Sequence, residues 1–150
     1  MQVTNKVVIM FFKKEHAEYA TLPLRLGLGT VFLMHGMQKM FGAFSGPGIS
    51  GVQGFMASLN VPLPNLFGIL VSSIEFFGGL FVILGLFTRY AASLIAIVMF
   101  FAYYLVHAKG GFFLPMGFEF VFTLFLMAVA LMLSGSGKFS LDRALFKKDI

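Results

Sequence analysis

Several ionisable side chains fall inside apolar stretches of the sequence, where a charge is costly. His35 and Lys39 lie four residues apart in the first apolar segment, and Glu75 lies near the middle of the second. If these segments cross a bilayer, each ionisable group costs about 2.5–3.5 kcal/mol at the centre of a helix on insertion scales. Groups kept at that cost commonly bind a ligand or exchange protons. We therefore predict that His35 and Glu75 form the catalytic pair.

Four further side chains are predicted to bind a ligand near this pair: Lys39, Tyr103, His107 and Glu119. Helical spacing places Lys39 one turn beyond His35, and it groups Tyr103 and His107 on one stripe. Together they predict a polar funnel that opens toward the outer face of the membrane. Simpler interpretations remain open. Lys39 can extend to the lipid headgroups, Glu119 can complement a helix dipole, and a structural Glu–Lys or Glu–Arg pair accounts for Glu75 equally well.

Metal chemistry is not predicted. The chain has no cysteine, which excludes disulfides, thiolate nucleophiles and iron–sulfur clusters. It also has no short metal-ligand motif such as His-Glu-x-x-His.

The elements that must position these residues are transmembrane helices. The 150-residue chain is 59% hydrophobic and only 11% charged, with a mean hydropathy of +0.92, whereas soluble domains carry about 25% charged residues. A helix needs roughly 20 apolar residues to cross a bilayer, and four segments qualify. The sequence thus predicts an all-α integral membrane bundle with spans at about 22–41, 66–87, 90–106 and 118–134.

The connections between the spans are unequal. Pro23 and Pro64 suit the starts of the first two helices, and a tight turn at Thr88-Arg89 joins the second and third. The outer loop 42–64 contains apolar residues at i, i+3, i+4 and i+7, which predicts a short amphipathic helix: Val52, Phe55, Met56 and Leu59. Residues 1–21 are expected to form a cytoplasmic segment, 22–134 the transmembrane domain and 135–150 a basic cytoplasmic tail.

The distribution of positive charge predicts the orientation. Nine of the eleven Lys and Arg residues fall with the termini or the 88–89 turn, and only Lys39 and Lys109 fall on the opposite side. The positive-inside rule therefore predicts that both termini are cytoplasmic, with Arg25 and Arg89 as anchoring and topology residues. Membrane phosphates account for the net charge of +5, and no nucleic-acid partner is predicted.

Several motifs in one order resemble the DoxX family of small bacterial membrane proteins, over roughly residues 23–145. They are Arg25-Leu-Gly-Leu-Gly, His35-Gly-Met-Gln-Lys39, the Gly-Pro-Gly loop with Phe55-Met-Ala-Ser-Leu, Glu75-Phe-Phe-Gly-Gly, Gly85-Leu-Phe-Thr-Arg89 and Gly137-Lys-Phe-Ser-Leu-Asp142. The resemblance implies four transmembrane helices in the bacterial inner membrane. Some family members look like membrane subunits of thiosulfate:quinone oxidoreductase, and others are described as membrane partners of soluble redox or sulfur-transfer enzymes.

The resemblance favours a membrane subunit of a quinone-linked redox system and leaves open whether that system handles sulfur compounds. A quinone site needs an apolar aromatic slot with a few hydrogen-bonding groups, and four residues are expected to form the slot: Phe32, Phe76, Phe100 and Tyr103. The cofactor is otherwise undetermined, and the expected partners are the lipid bilayer, a soluble redox protein and further copies of the chain. Two alternatives stay open: a non-enzymatic carrier of a small molecule or lipid, and a scaffold that recruits a soluble enzyme through its basic tails.

Overall fold

A computed structural model describes residues 14–150, and every regular element in that range is helical. This confirms the all-α class for the described part of the chain. Residues 1–13, which make up most of the predicted segment 1–21, lie outside the described residues. The helices are α1 (Lys14–Phe41), α2 (Gly48–Ser58), α3 (Pro64–Leu84), α4 (Thr88–Ala102), α5 (Glu119–Ser134) and α6 (Leu141–Phe146), with a 3₁₀ turn at Ala43–Ser45 and a π-helical turn at Tyr103–His107 that extends α4.

Two of the described helices are long and apolar enough to cross a membrane. They are Pro64–Leu84 and Thr88–His107, with mean hydropathies of 2.1 and 1.8 over their most apolar 18 residues. Helix α5 is also apolar but has 16 residues. Helix α1 has 28 residues and begins well before the predicted residue 22. Pro23 therefore lies inside α1, and the expectation that it starts the helix was wrong, whereas Pro64 is the first residue of α3 as predicted.

Glycines bring the backbones of α1 and α3 into direct contact. A Cβ atom on Gly36 would lie 2.3 Å from the backbone nitrogen of Phe76, and one on Gly79 would lie 2.4 Å from that of Leu33. No side chain fits at such distances, so glycine is required at both positions. Gly36 and Gly79 thus permit the close approach of the two helices.

Helices α3 and α4 form an antiparallel hairpin whose turn comprises residues 85–87. Gly85 has a φ of 66°, a left-handed conformation that favours glycine. The turn thus precedes Thr88 and Arg89, which begin α4, so the predicted turn position was wrong by a few residues. Beyond the turn, a Cβ atom on Gly78 would lie 3.3 Å from the side chain of Ile95, so the two helices pack closely in this half.

The segment that follows α5 folds back over this turn, and we call this side of the molecule the hairpin end. Arg25 is only 1% exposed and donates hydrogen bonds to the carbonyl oxygens of Val82, Ile83, Ser136 and Phe139. The Asp142 carboxylate accepts from the backbone N–H groups of Phe87 and Thr88, at 2.7 and 3.2 Å. Asp142 thereby satisfies donors that the first turn of α4 leaves free.

Arg143 connects α6 to the start of the bundle. Its guanidinium donates to the carboxylates of Glu18 and Asp149, at 2.8 Å for the shortest contact with each. These hydrogen bonds lower the pKa of both carboxyls. Residues 135–150, which the sequence predicts as a basic tail, therefore form a folded cap on the hairpin end.

The opposite side of the molecule, which we call the loop end, carries α2 and the loop 108–118. The predicted amphipathic helix in the segment 42–64 is confirmed as α2, and its residue Val52 is buried. Helix α2 packs on the start of α3, where a Cβ atom on Gly68 would lie 2.7 Å from the Gln53 side chain. The helix therefore lies against the bundle and closes part of its loop end.

Candidate functional site

A cavity of about 910 Å³ lies in the loop-end half of the bundle. Its walls come from α1, α2, α3, α5 and the end of α4 with its π-helical turn, and most of them are apolar. The volume is at the upper end of the range of small-molecule sites, about 300–1,000 Å³. Six polar side chains contribute to the lining: His35, Lys39, Asn60, Glu75, Tyr104 and His107.

The charged part of the cavity is an ion pair between α1 and α3. The close approach at Gly36 brings the next turn of α1 alongside Glu75, and Lys39 Nζ lies 2.5 Å from Glu75 Oε1. Glu75 is 2% exposed and Lys39 is 29% exposed. Lys39 therefore turns toward the bundle and pairs with a carboxylate, which agrees with the Glu–Lys pair left open from the sequence.

The pair lies deep along α3. Glu75 is the twelfth residue of a 21-residue helix, so it lies roughly 16 Å along the helix from Pro64 at about 1.5 Å per residue. Glu75 Oε2 is buried and has no hydrogen-bond partner among the described residues. A buried carboxylate oxygen left without a partner is costly, and a ligand donor at this part of the cavity would lower that cost.

The predicted partner of Glu75, His35, lines the same cavity one helical turn before Lys39. Its side chain is exposed, whereas Phe32, one turn deeper in α1, is buried and also lines the cavity. The imidazole of His35 is therefore accessible to a ligand that lies in the cavity on the loop-end side of Phe32. The structure thus brings His35, Lys39 and Glu75 to one cavity.

The end of α4 is π-helical, and this changes which of its residues face the cavity. The backbone N–H of Ala108 donates to the carbonyl oxygen of Tyr103 at 2.8 Å, five residues back. His107 lines the cavity, but Tyr103 does not; its ring packs on Phe118 at 5.2 Å, and Tyr104 contributes to the cavity instead. The π-helical geometry breaks the 3.6-residue spacing from which Tyr103 and His107 were placed on one stripe.

Glu119 was also predicted to bind a ligand near this arrangement. It begins α5, and its carboxylate accepts a hydrogen bond from the backbone N–H of Leu114 at 2.8 Å, within the loop that precedes the helix. It is not among the cavity-lining residues. The position also complements the positive end of the α5 dipole.

Both predicted anchoring residues lie at the hairpin end. Arg25 is buried in the hydrogen bonds described above, and Arg89 donates to the carbonyl oxygens of Met132 and Leu133 at the end of α5. Of the four residues expected to form an aromatic slot, Phe32 lines the cavity, but Phe76 and Phe100 do not. Phe76 instead packs its ring on Phe41 at 5.1 Å.

Sequence reasoning missed two parts of the arrangement. The first is the contribution of α2 to the cavity wall, where Val52, Phe55 and Met56 lie; their helical spacing indicated an apolar face but not what it covers. The second is the capping role of Asp142, for which the only signal was the motif Gly137-Lys-Phe-Ser-Leu-Asp142. Within residues 14–150 no group of three or more His, Cys, Asp or Glu side chains could hold a metal ion.

Comparisons with known proteins identify the family of the chain. The DoxX family model matches residues 20–108. A protein of Bacillus subtilis (strain 168) named "Putative oxidoreductase CatD" is 34% identical over 131 residues, which cover 87% of this chain and 90% of that protein. A protein of Haemophilus influenzae named "Uncharacterized protein" is 31% identical over 139 residues, which cover 90% of this chain and 97% of that protein. No solved structure matches the chain. The chain therefore belongs to the DoxX family.

Proposed function

We propose that this protein is a four-span subunit of the bacterial inner membrane that binds a quinone in the cavity and serves a quinone-linked oxidoreductase. The single observation that carries the proposal is the ion pair between Lys39 and the buried Glu75 in the wall of a large apolar cavity. The name of the Bacillus subtilis relative, an oxidoreductase, supports the redox part of the proposal.

Charge and helix length support the proposed topology. The four long helices α1, α3, α4 and α5 would cross the bilayer, and the hairpin end would lie in the cytoplasm with both termini. The hairpin end carries Arg25, Arg89 and Arg143, whereas the loop end carries Lys39 and Lys109, in agreement with the positive-inside rule. Helix α5 is about 24 Å long at 1.5 Å per residue, shorter than a typical hydrocarbon core of about 30 Å, so the bilayer would thin locally where α5 crosses it.

The charges in the cavity favour a neutral ligand. Lys39 and Glu75 neutralise each other at contact distance, so an anion entering the cavity would meet no uncompensated positive charge from this pair. The ammonium group retains donors beyond the one used by Glu75, and His35 adds a further nitrogen. A quinone fits these groups, because its ring is apolar and its two carbonyl oxygens accept hydrogen bonds. An anionic sulfur compound would then be handled by a partner protein.

The chain's own residues would bind the quinone and exchange protons with it. Reduction of a quinone to a quinol takes up two electrons and two protons. His35 and Glu75 are groups that can donate and accept protons, while the electrons would come from a soluble redox partner. In this proposed mechanism His35 and Glu75 are catalytic residues, and Lys39 and His107 contact the ligand.

The proposal is tested by extracting the quinone that is retained by protein purified in a mild detergent. We expect quinone in the wild type and in Glu119→Gln, because Glu119 lies outside the cavity. We expect about tenfold less in Lys39→Met/Glu75→Gln, the ratio for a loss of about 1.4 kcal/mol. The double substitution removes both charges together and so avoids an unpaired buried charge. Equal retention in all three proteins, or no retention in any, would contradict the proposal.

A non-enzymatic carrier or binding protein is the second candidate, and the same cavity favours it, since a volume of about 910 Å³ accommodates a small lipid-soluble molecule. Reconstituted protein supplied with a quinone and a reduced redox partner distinguishes the two. A carrier binds the quinone without catalysing its reduction, whereas a redox subunit accelerates electron transfer from the partner to the quinone.

A scaffold role for the basic tail cannot be tested by removing residues 138–150. Arg143 and Asp142 hold that segment on the hairpin end, so its removal would disturb the fold. Lys147→Glu/Lys148→Glu changes the charge of exposed side chains instead. A scaffold role predicts that this variant loses a soluble partner while its thermal stability is unchanged.

A further inference from the structure

We infer that the cavity opens sideways, between the loop-end halves of α3 and α4, and that the apolar tail of a membrane-resident ligand lies in this opening. The inference rests on the proposed function, in which the ring of the ligand lies at the Lys39–Glu75 pair. It adds the route by which the ligand enters the cavity and the class of ligand that fits: a neutral ring joined to a long hydrocarbon chain.

The two helices touch near the hairpin, and toward the loop end both contribute side chains to the cavity. Near the hairpin, Gly78 and Ile95 are in close contact. Toward the loop end, successive turns of α3 present Phe67, Leu70 and Ile74 to the cavity. Their spacing of three and four residues places them on one side of α3.

Helix α4 presents a matching stripe. Ile97, Phe101 and Tyr104 fall at i, i+4 and i+7, and all three line the cavity. They are also exposed: Phe101 is 53% and Leu70 on the facing helix is 42% exposed. Because the same side chains contribute to both the outer surface and the cavity, the cavity reaches the side of the bundle here. In the proposed topology this opening faces the hydrocarbon of the outer leaflet.

The apolar lining of the opening indicates which part of the ligand lies in it. The two stripes are apolar except for the hydroxyl of Tyr104, so they match a hydrocarbon chain, and the groove between them is continuous with the cavity that holds the ion pair. Helix α2 packs over the loop end of the bundle and contributes Val52 and Met56 to the cavity wall. A ligand dissolved in the bilayer therefore reaches Glu75 from the side without crossing an aqueous phase.

Site-specific photocrosslinking tests the inference. p-Benzoyl-phenylalanine is placed at Phe101 in the opening, at Phe122 on α5, and at Asn60 near the end of α2. Phe122 is a matched control because it is 46% exposed, close to the 53% of Phe101, but does not line the cavity. Each full-length protein is reconstituted in phospholipid vesicles with decylubiquinone, a benzoquinone with a ten-carbon chain, then irradiated and analysed by mass spectrometry.

We expect a quinone adduct about tenfold more abundant at position 101 than at 122, the ratio given by a preference of about 1.4 kcal/mol. The excess should disappear in the Lys39→Met/Glu75→Gln background, where the ring is no longer held. Equal adducts at 101 and 122 would overturn the inference, since they would show quinone merely dissolved in the lipid. An adduct at 60 with none at 101 would also overturn it but would leave quinone binding intact. A wild-type protein that retains no quinone on purification would instead refute the proposed function.

Discussion

At the scale of the residue, the Lys39–Glu75 pair decides both the stability and the chemistry of the cavity. A buried ion pair is favourable only while both partners are present, because either charge alone is left poorly solvated. The pair lies where α1 and α3 touch through Gly36. The geometry of the ion pair is therefore set by backbone packing, which positions both side chains at the cavity before a ligand binds.

Removing one partner of this pair should cost more than removing both. We expect Glu75→Gln to lower the free energy of unfolding by about 3 kcal/mol, the lower end of the range for buried pairs because Lys39 is partly exposed. Lys39→Met/Glu75→Gln should recover part of that loss, since no buried charge remains. Thermal denaturation in detergent measures both, with Glu119→Gln as the control. A double variant less stable than Glu75→Gln would contradict the assignment of the pair.

The sequence predicted part of the site and missed the rest for physical reasons. His35, Lys39 and Glu75 line one cavity; His35 and Lys39 lie on regular α-helix, where spacing determines which residues share a face. Tyr103 was expected beside His107, but the π-helical turn changes the spacing at that point. Glu119 was expected in the funnel, but its carboxylate is satisfied by Leu114 in its own loop. Such local backbone changes leave no periodic signal in a sequence.

At the scale of the element, the contact between α1 and α3 controls the cavity. Gly36 and Gly27 both lie on α1 but differ in their surroundings: a Cβ on Gly36 would meet the backbone of Phe76, whereas one on Gly27 would lie 3.4 Å from the Met127 side chain, an ordinary contact. The helices must separate to accept a methyl group at position 36, and separation pulls Lys39 away from Glu75.

We therefore expect Gly36→Ala to lower both the melting temperature and the amount of retained quinone, while Gly27→Ala leaves both near wild-type values. The stability cost should fall within about 1–3 kcal/mol, as for other overpacked sites. Thermal denaturation and quinone extraction on the same samples provide the measurements. A Gly36→Ala protein as stable as Gly27→Ala, with full quinone content, would refute the proposed control of the cavity by this contact.

The cap at the hairpin end should make the protein sensitive to acid. Hydrogen bonds from Arg143 hold the pKa values of Glu18 and Asp149 below those of ordinary carboxyl groups. A carboxyl whose pKa is lowered by folding adds stability that is fully present above its unfolded-state pKa and is lost as the pH falls through its folded-state pKa. The contribution of these groups is therefore present above about pH 5 and declines as the pH falls below about 4.

Replacing Arg143 should remove this dependence. We expect Arg143→Gln to be less stable than the wild type at pH 6 and to differ from it much less at pH 3. Melting temperatures across this range measure the effect, and Lys147→Gln, which alters an exposed residue of the same segment, serves as the control. If the gap between Arg143→Gln and the wild type were the same at both pH values, the ion pairs would not support the cap.

At the scale of the whole molecule, four long helices enclose a cavity at one end and a folded cap closes the other. The helices were readily predicted, because runs of apolar residues define them. The cap was not, because residues 135–150 are short and polar and resemble a free tail in composition. The folded arrangement of these residues depends on the hydrogen bonds of Arg25, Asp142 and Arg143 to groups that are distant in sequence.

The proposed orientation can be tested with single cysteines, because the chain has none of its own. On intact cells, a membrane-impermeant maleimide should label Lys109→Cys at the loop end but not Lys148→Cys at the hairpin end. After the cells are permeabilised, both should react. Labelling of Lys148→Cys on intact cells would contradict the assignment of both termini to the cytoplasm.

The central claim is that the Lys39–Glu75 cavity holds a quinone, and a crystal structure tests it most directly. Crystals would be grown from a lipidic mesophase that contains decylubiquinone. We predict ring density within hydrogen-bonding distance of Lys39 or His35 and tail density between Leu70 and Phe101. A well-ordered cavity that contains only water or phospholipid, with the quinone absent or bound elsewhere, would contradict the claim.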